Sequence, residues 1–305
     1  MSKVSESEIQ SIVERLRLGR CVLCAGSRIA PSGGGDGTFR GLVEKLLEQV
    51  SDADKGDAQA VLKNRPLALA GFVRRRLGDR FVPSLKLATV SQAELPEVVR
   101  LLGELPFRAI VTTSYDDTFE RAFTRDGAMP KVYTPSDAAE LKKDGKARFV
   151  FKALGDPARA ETVVWSAEDL QGALADGGYR TVAHDLYRSR SFLFVGFEGG
   201  DPDLGILLER VLSGARAGDT EHFAVLPGLS AIEKEELYAA YKIRVLEAED
   251  VSELARSLKE ALGDNHGPVL PDDDDADGWL ALLAEDPARS DALDRLDAEQ
   301  VPPGL

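Results

Sequence analysis

The sequence has few of the residues from which disulfide frameworks and metal sites are built. Among its 305 residues are two cysteines, Cys21 and Cys24, and three histidines. The cysteines have C-x-x-C spacing, but they lie inside a short apolar run, and no histidine is spaced to complete a metal site with them. We therefore expect no metal and no disulfide framework, the pattern of a protein from a reducing cytoplasm.

Long apolar runs and an excess of basic residues are also missing. No run approaches the roughly 18 consecutive apolar residues of a membrane-spanning helix, and the acidic first residues lack the apolar core of a secretory signal. The formal net charge is −14; the tail from residue 264 holds twelve acids and two arginines, a charge of −10, which leaves −4 for residues 1–263. We therefore expect neither a nucleic-acid nor a membrane partner.

What the sequence does contain is an alternation of short apolar runs with amphipathic segments. The runs predict strands at residues 21–25, 109–112, 131–133, 148–152, 162–165, 192–197, 222–226 and 243–246. The periodic segments predict helices at residues 5–18, 38–50, 117–125, 166–173, 179–189, 204–212, 230–241 and 251–262. This alternation predicts an α/β fold, a Rossmann-like doubly wound parallel sheet with right-handed crossovers.

Two regions depart from the alternation. Residues 52–105 show helical patterns and no convincing strand, so we expect a small helical insertion there, with helices near 57–64, 67–77 and 95–102. From residue 264 prolines and an acidic run indicate a linker, because like charges repel one another and cannot be buried. We therefore assign residues 1–263 to the α/β domain and 264–305 to an acidic linker or tail, which suits a docking segment or the approach to a further domain.

The stretch Ala109–Glu120 is the first place to look for a functional site. Its apolar, β-branched half ends at Thr112, and hydroxyl and carboxylate side chains follow. A buried parallel strand delivers such groups to the carboxyl edge of its sheet, where the ligands of open α/β sheets bind. The alternative is an ordinary helix start with Asp116 or Asp117 as its N-cap. The residues alone leave both interpretations open.

Two further segments are candidates for phosphate binding. The turn Cys24–Arg28 closes the first strand, and its small residues would let backbone N–H groups approach a phosphate, although such turns occur in many α/β proteins. The run Arg74–Arg76 lies in a predicted helix. An arginine run in a helix is more often a solvated face than a phosphate site.

Four short motifs follow one another along the chain. They are Ala25-Gly26-Ser27, Thr112-Thr113-Ser114-Tyr115-Asp116, Lys152-Ala153-Leu154-Gly155-Asp156, and Val195-Gly196-Phe197-Glu198 continued by Asp201-Pro202-Asp203. In order and spacing, over roughly residues 8–262, the chain resembles the SIR2-like family. This family comprises sirtuin-related NAD-binding domains, many of them bacterial anti-phage effectors that destroy NAD.

The resemblance implies a ligand and the residues that bind it. The ligand would be NAD or a nucleotide of the ADP-ribose type, with no metal. The residues that would contact it are Ala25, Gly26, Ser27, Arg28, Thr113, Gly155, Asp156, Gly196 and Glu198. Ser114 and Asp116 occupy the positions of the two family residues that hold the nicotinamide ribose, and they are the candidate catalytic residues.

Four positions depart from the family pattern. They are Cys24 for a glycine, Ser114 for an asparagine, Leu154 for a histidine and Glu198 for a serine. Leucine cannot accept or relay a proton, and loss of a general base typically costs about 10²–10⁴ in rate. The Cys24 side chain would partly block close backbone approach. The Glu198 carboxylate would repel a pyrophosphate unless a cation or an arginine intervenes.

We therefore expect a catalytically degenerate SIR2-like domain that acts as a nucleotide-binding, scaffold or regulatory module, through a protein partner or self-association. The alternative is an active NAD hydrolase with an altered site. There Asp116 would stabilise the developing oxocarbenium ion, Ser114 would orient a water molecule and Glu198 would serve as base. Deacylation is the weakest alternative, because both the family histidine and the paired C-x-x-C zinc module of many true sirtuins are missing.

Overall fold

The structure is a computed structural model that describes residues 4–29, 37–52, 56–90, 94–125, 127–144, 148–175, 177–215, 220–248 and 250–263. The strands are β1 (Cys21–Ala25), β2 (Ala109–Thr112), β3 (Lys131–Tyr133), β4 (Phe149–Lys152), β5 (Ser191–Val195), β6 (His222–Ala224) and β7 (Ile243–Val245). The helices are α1 (Glu6–Arg17), α2 (Phe39–Leu47), α3 (Ala58–Asn64), α4 (Pro66–Leu77), α5 (Phe81–Ala88), α6 (Glu97–Glu104), α7 (Thr118–Ala122), α8 (Ala138–Asp144), α9 (Ala167–Ala175), α10 (Gly178–Ser189), α11 (Pro202–Gly205), α12 (Ala231–Tyr241) and α13 (Val251–Leu262).

The described strands form one seven-stranded parallel sheet in the order β3-β4-β2-β1-β5-β6-β7. Cys24 in β1 is in register with Val111 of β2 on one side and with Phe194 of β5 on the other. From β1 the chain builds one half of the sheet through β2, β3 and β4, and then returns to build the other half from β5 to β7. The predicted doubly wound parallel sheet is confirmed, and its strand order reverses between β1 and β5.

Both faces of the sheet are buried beneath helices. In β1, Val22 and Cys24 pack into one apolar core, whereas Cys21, Leu23 and Ala25 pack into the other. Successive strand residues point to opposite faces, so a strand covered on both sides is apolar at every position. This explains why the central strands are continuous apolar runs in the sequence.

The predicted helical insertion is confirmed, with one more helix than the sequence pattern indicates. Residues 52–105 contain α3 to α6 and, at the described positions, no strand. The additional helix is α5, which has Pro83 in its first turn. A proline is tolerated there because the N–H groups of the first turn have no partner within the helix.

The strand predicted at residues 162–165 is wrong. The N–H group of Val164 donates to the carbonyl of Leu154 at 2.9 Å. The N–H groups of Trp165 and Ser166 donate to the Asp169 carboxylate at 3.2 and 2.8 Å. The backbone donors of this segment are thus used in a loop contact and in the cap of α9, which leaves them unavailable to a sheet.

Two predicted helices also differ from those in the structure. The segment predicted at 204–212 begins earlier, as the short helix α11, and continues as a π-helix over Ile206–Val211. The segment predicted at 117–125 is the shorter helix α7. The predicted acidic tail, 264–305, lies outside the described residues. No described helix is both long enough and apolar enough to cross a membrane.

Trp165 joins the helical insertion to the sheet. It is fully buried, and its ring centroid lies 5.4 Å from that of Phe81 in α5 and 5.8 Å from that of Tyr115 after β2. Its indole Nε1–H donates to the carbonyl of Ala70 in α4 at 2.9 Å. The position of the loop after β2 therefore depends on how this one side chain packs.

We expect Trp165→Ala to lower the free energy of unfolding by about 3–5 kcal/mol, because it opens a cavity between the insertion and the sheet. Trp165→Phe retains most of the apolar contact and loses only the hydrogen bond to Ala70, so its loss is expected to be smaller. Urea unfolding followed by circular dichroism measures both variants. A loss below about 1 kcal/mol for Trp165→Ala would contradict this role.

Candidate functional site

The carboxyl ends of β1 and β5 meet where the strand order reverses, the usual ligand position in open α/β sheets. The loop after β1 begins at Gly26, whose N–H donates to the carbonyl of Val195 at 2.8 Å. Gly196, after β5, has a φ of +73°, and a Cβ atom on Gly26 would collide with its carbonyl oxygen. The two loops therefore touch backbone to backbone, and this contact by itself requires glycine at both positions.

The side chain of Arg28 lies across this pair of loops. Its Nε and Nη2 donate to the two carboxylate oxygens of Asp201, each at 2.7 Å. Nη2 also lies 3.1 Å from Oε2 of Glu198. Glu198 thus faces Arg28. An arginine in this place offsets the repulsion that the Glu198 carboxylate would exert on a pyrophosphate. Ser27, in the same turn, is buried.

The residues after β2 are buried and bonded to both neighbouring loops. Thr112 Oγ1 donates to the carbonyl of Ala25 at 2.8 Å and accepts the N–H of Ser114 at 3.0 Å. Thr113 Oγ1 donates to Oδ2 of Asp203 at 2.6 Å. Burial raises the pKa of Asp203 from its ordinary value of 3.8 to about 6, and the nearby carboxylate of Asp201 contributes to the rise.

Asp116 takes part in a buried cluster of charges. Its Oδ1 accepts the N–H of Thr118, the first residue of α7, at 3.1 Å, so this oxygen bonds one of the N–H groups that have no partner within the helix. Its Oδ2 is also buried and has no hydrogen-bond partner. Asp117 is the N-cap residue by position, but its side chain makes no cap hydrogen bond. Of the two Asp116 carboxylate oxygens, Oδ1 therefore has a structural role and Oδ2 has no hydrogen-bond partner.

The cation of this cluster is Lys152, at the end of β4. Its side chain is 2% exposed, and Nζ donates to the carbonyls of Tyr115 and Asp116 at 3.2 and 2.8 Å. Nζ also donates to Oε1 of Glu120 at 2.9 Å. Burial raises the pKa of Glu120, although the neighbouring ammonium opposes the rise. Lys152 thus holds the backbone of the loop that carries Asp116.

The loop after β4 turns its apolar residue inward. Leu154 is 1% exposed and belongs to the same apolar core as Tyr115 and Trp165. Gly155 has a φ of +83°, and a Cβ atom there would collide with the carbonyl oxygen of Thr162. Asp156 follows, with its Oδ1 3.6 Å from Nζ of Lys152. The position of Leu154 is therefore occupied by a side chain that packs in the core and cannot titrate.

The expected obstruction by Cys24 is not found. Its side chain is buried, and with Tyr179 and Ala183 of α10 it lines an apolar cavity beneath the sheet. Burial raises the pKa of both cysteine thiols. Both cysteines are free, and no group of acidic, histidine or cysteine side chains within the described ranges is arranged to hold a metal ion.

All the predicted site residues lie within the described ranges. Ala25 is the last residue of β1, and the others lie on the loops after β5, β1, β2 and β4, which are neighbours in that order. The sequence-based site omits four residues that complete the arrangement, namely Glu120, Lys152, Asp201 and Asp203. Lys152 is the most conspicuous of them in the sequence, since it ends an apolar strand where a lysine has no solvated face. In the arginine run, Arg74 forms an ion pair with Asp169 at 2.6 Å, in keeping with a structural role.

Comparison with known proteins gives one matching family model and a set of relatives. Residues 108–246 match the model of the SIR2-like domain. The chain is 28% identical over 183 residues to the NAD(+) hydrolase ThsA of Bacillus cereus (strain MSX-D12), covering 58% of this chain and 38% of that protein. It is 25% identical over 215 residues to the NAD(+) hydrolase ThsA of Cytobacillus dafuensis, covering 69% and 42%.

A third relative is the NAD(+) hydrolase ThsA of Acinetobacter baumannii (strain 532279), 26% identical over 154 residues, covering 50% of this chain and 31% of that protein. In these three comparisons the chain spans between about a third and two fifths of each relative's length. The matched region includes the strands that carry Asp116, Lys152 and Glu198.

We expect Lys152→Met to lower the free energy of unfolding by about 3–5 kcal/mol, because it leaves the buried Glu120 carboxylate without its cation. Combining it with Glu120→Gln removes that charge and should recover part of the loss. Chemical denaturation of the two single variants and the double variant measures the coupling. The absence of any recovery in the double variant would show that the pair is not coupled.

The raised pKa of Asp203 predicts that ionisation of this carboxyl lowers the stability of the folded protein as the pH rises. Between about pH 4 and pH 6 the unfolded chain loses this proton while the folded protein keeps it, so rising pH favours unfolding through this group. Asp203→Asn cannot ionise and still accepts the Thr113 hydroxyl. Its stability relative to wild type should therefore increase from pH 4 to pH 7, by at most about 3 kcal/mol. Denaturation curves across this range provide the measurement, and a difference that does not vary with pH would contradict it.

Proposed function

We propose, on the premise that this chain carries a SIR2-like domain, that the domain binds an NAD-type nucleotide, NAD or ADP-ribose, without cleaving it efficiently. The ligand would lie at the carboxyl edge of β5, β1, β2 and β4. In this role the domain is a nucleotide-binding or scaffold subunit that works with a protein partner or with a second copy of itself. The resemblance of its motifs to those of anti-phage effectors makes phage defence the proposed context.

The environment of Leu154 is the observation that carries the proposal. Hydrolysis of the nicotinamide–ribose bond is assisted by a group that takes a proton from the attacking water, and leucine cannot do so. Leu154 is buried in the apolar core, so its side chain faces packing partners and not a ligand. Loss of such a group typically costs about 10²–10⁴ in rate.

The two described histidines do not replace this group. His184 lies within α10, with Nε2 3.0 Å from the carbonyl oxygen of Val211. His222 begins β6 at the amino edge of the sheet, where Nδ1 accepts the N–H of Phe192 at 3.1 Å. Burial lowers the pKa of His222 to about 3. Both rings are engaged away from the loops after β2 and β4.

Nucleotide binding is supported by the contacts that hold the loops of the site in place. Gly26 and Gly196 hold the first and last loops in contact, and Lys152 holds the backbone around Asp116. A loop whose backbone is held in this way loses less conformational freedom when a ligand binds, which favours affinity. The proposed contacts are those implied by the family resemblance, from Ala25 and Arg28 to Asp156.

An active NAD hydrolase is the second candidate, and the unpaired oxygen of Asp116 favours it. Oδ2 of Asp116 is buried without a hydrogen-bond partner, so its hydrogen-bonding capacity is unused, and a ribose hydroxyl or a developing oxocarbenium ion that reached it would supply the missing partner. Ser114 would then orient the water. Glu198 would have to serve as base, but its carboxylate is paired with Arg28. This requirement makes the hydrolase the weaker of the two candidates.

We expect NAD or ADP-ribose to raise the melting temperature of the purified protein, because a ligand that binds only the folded state stabilises it. We also expect no more nicotinamide release over hours than from an Asp116→Ala variant. Thermal shift, chromatography of the reaction and elution volume test these points together. Release by wild type alone would establish the hydrolase. A multimer that neither binds nor cleaves NAD would leave only the scaffold role.

A further inference from the structure

Two carboxylates share the guanidinium of Arg28 at the mouth of the proposed nucleotide site. Asp201 forms a two-point contact with Nε and Nη2, each at 2.7 Å. Glu198 approaches the same Nη2 at 3.1 Å. The Asp201 side chain is 8% exposed and that of Glu198 is 48% exposed. The two acids therefore stand in different surroundings, although they bind one cation.

Asp201 has a structural role in this group. Its Oδ2 also accepts the backbone N–H of Glu198 at 2.7 Å, and its own N–H donates to the Glu198 carbonyl at 3.1 Å. It therefore holds both the loop after β5 and the Arg28 side chain in place. A buried carboxylate with these partners cannot leave without breaking several hydrogen bonds.

The Glu198 carboxylate is attached much less firmly. It is half exposed, and an exposed ion pair contributes little to stability because water screens it and side-chain freedom is lost. Rotation of the side chain would remove the carboxylate while its backbone stays bonded to Asp201. In the present arrangement, however, the two carboxylates of Glu198 and Asp201 face the one guanidinium of Arg28, so among these three side chains negative charge exceeds positive charge where a pyrophosphate would approach.

We propose that Glu198 is a specificity-determining residue, whose carboxylate occupies the part of Arg28 that a ligand phosphate would otherwise contact. This inference rests on the proposed function, since it assumes a nucleotide site at this edge of the sheet. Ligands with a diphosphate, such as NAD and ADP-ribose, must displace Glu198 or approach against its charge. Adenosine, which has no phosphate, does neither. Glu198 thus sets the affinity for the anionic part of the ligand.

The test compares Glu198→Gln with wild type by isothermal titration calorimetry, using NAD, ADP-ribose and adenosine. The variant keeps the shape of the side chain and removes its charge. We expect its Kd for NAD and ADP-ribose to fall about fivefold, the factor that corresponds to two unit charges about 4 Å apart in water. The gain should shrink between 50 and 500 mM NaCl because salt screens exposed charges. Any binding of adenosine should be unchanged.

Glu104→Gln is the matched control. Glu104, at the end of α6, pairs with Lys259 at 2.5 Å and is 51% exposed, so this variant also removes one charge and one exposed ion pair. Because α6 leads into β2, Glu104 lies at the amino edge of the sheet, away from the proposed site. Its affinities for the three ligands should equal those of wild type. An equal gain in Glu104→Gln would mean that net charge alone is responsible and would overturn the inference.

The outcomes separate this inference from the function on which it rests. If wild type and Glu198→Gln bind ADP-ribose equally, the nucleotide site stands and the role of Glu198 is wrong. If the variant binds more weakly, Glu198 is a ligand contact and the inference is likewise wrong. If neither protein binds NAD or ADP-ribose, the proposed function itself fails. Tighter binding of both nucleotides by Glu198→Gln, with adenosine unaffected, supports the two together.

Discussion

A single buried ammonium holds together the edge of the sheet on which the candidate site stands. Lys152 ends β4, yet it bonds to the backbone of the loop after β2 and to Glu120 in α7. A lysine with a 2% exposed side chain is tolerated only where carbonyl and carboxylate oxygens replace its water. The shape of the loop that carries Ser114 and Asp116 thus follows from the need to solvate one cation inside the protein.

Other buried polar groups along the carboxyl edge of the sheet also form hydrogen bonds with one another. Thr113 donates to Asp203, Arg28 donates to Asp201, and Asp116 accepts the N–H of the first residue of α7. Much of the hydrogen-bonding capacity that the motifs would offer a ligand is therefore used within the protein. The proposed function, binding of a nucleotide without efficient cleavage, rests on this arrangement and on the packed side chain of Leu154.

Much of the fold can be predicted from the sequence, because burial on two faces produces continuous apolar runs and burial on one face produces helical periodicity. The capping box that begins α1, formed by Ser5 and Glu8, is of this local kind. Prediction failed at residues 162–165, an apolar stretch whose N–H groups are bonded to Leu154 and Asp169 instead of a strand. It failed again at α5, which includes Pro83. In both segments the local structure depends on which partners the backbone N–H groups have, and an apolar pattern does not contain that information.

The sequence by itself determined the α/β class, the insertion, the uneven charge and the order of motifs in which the chain resembles the SIR2-like family. Only the tertiary structure decided which polar groups meet. Arg28 and Asp201 are 173 residues apart in the chain, and Lys152 and Glu120 are 32 apart. Periodicity reports whether a residue is buried and in which local element, whereas such pairings follow from strand order and register, which bring distant loops to one edge.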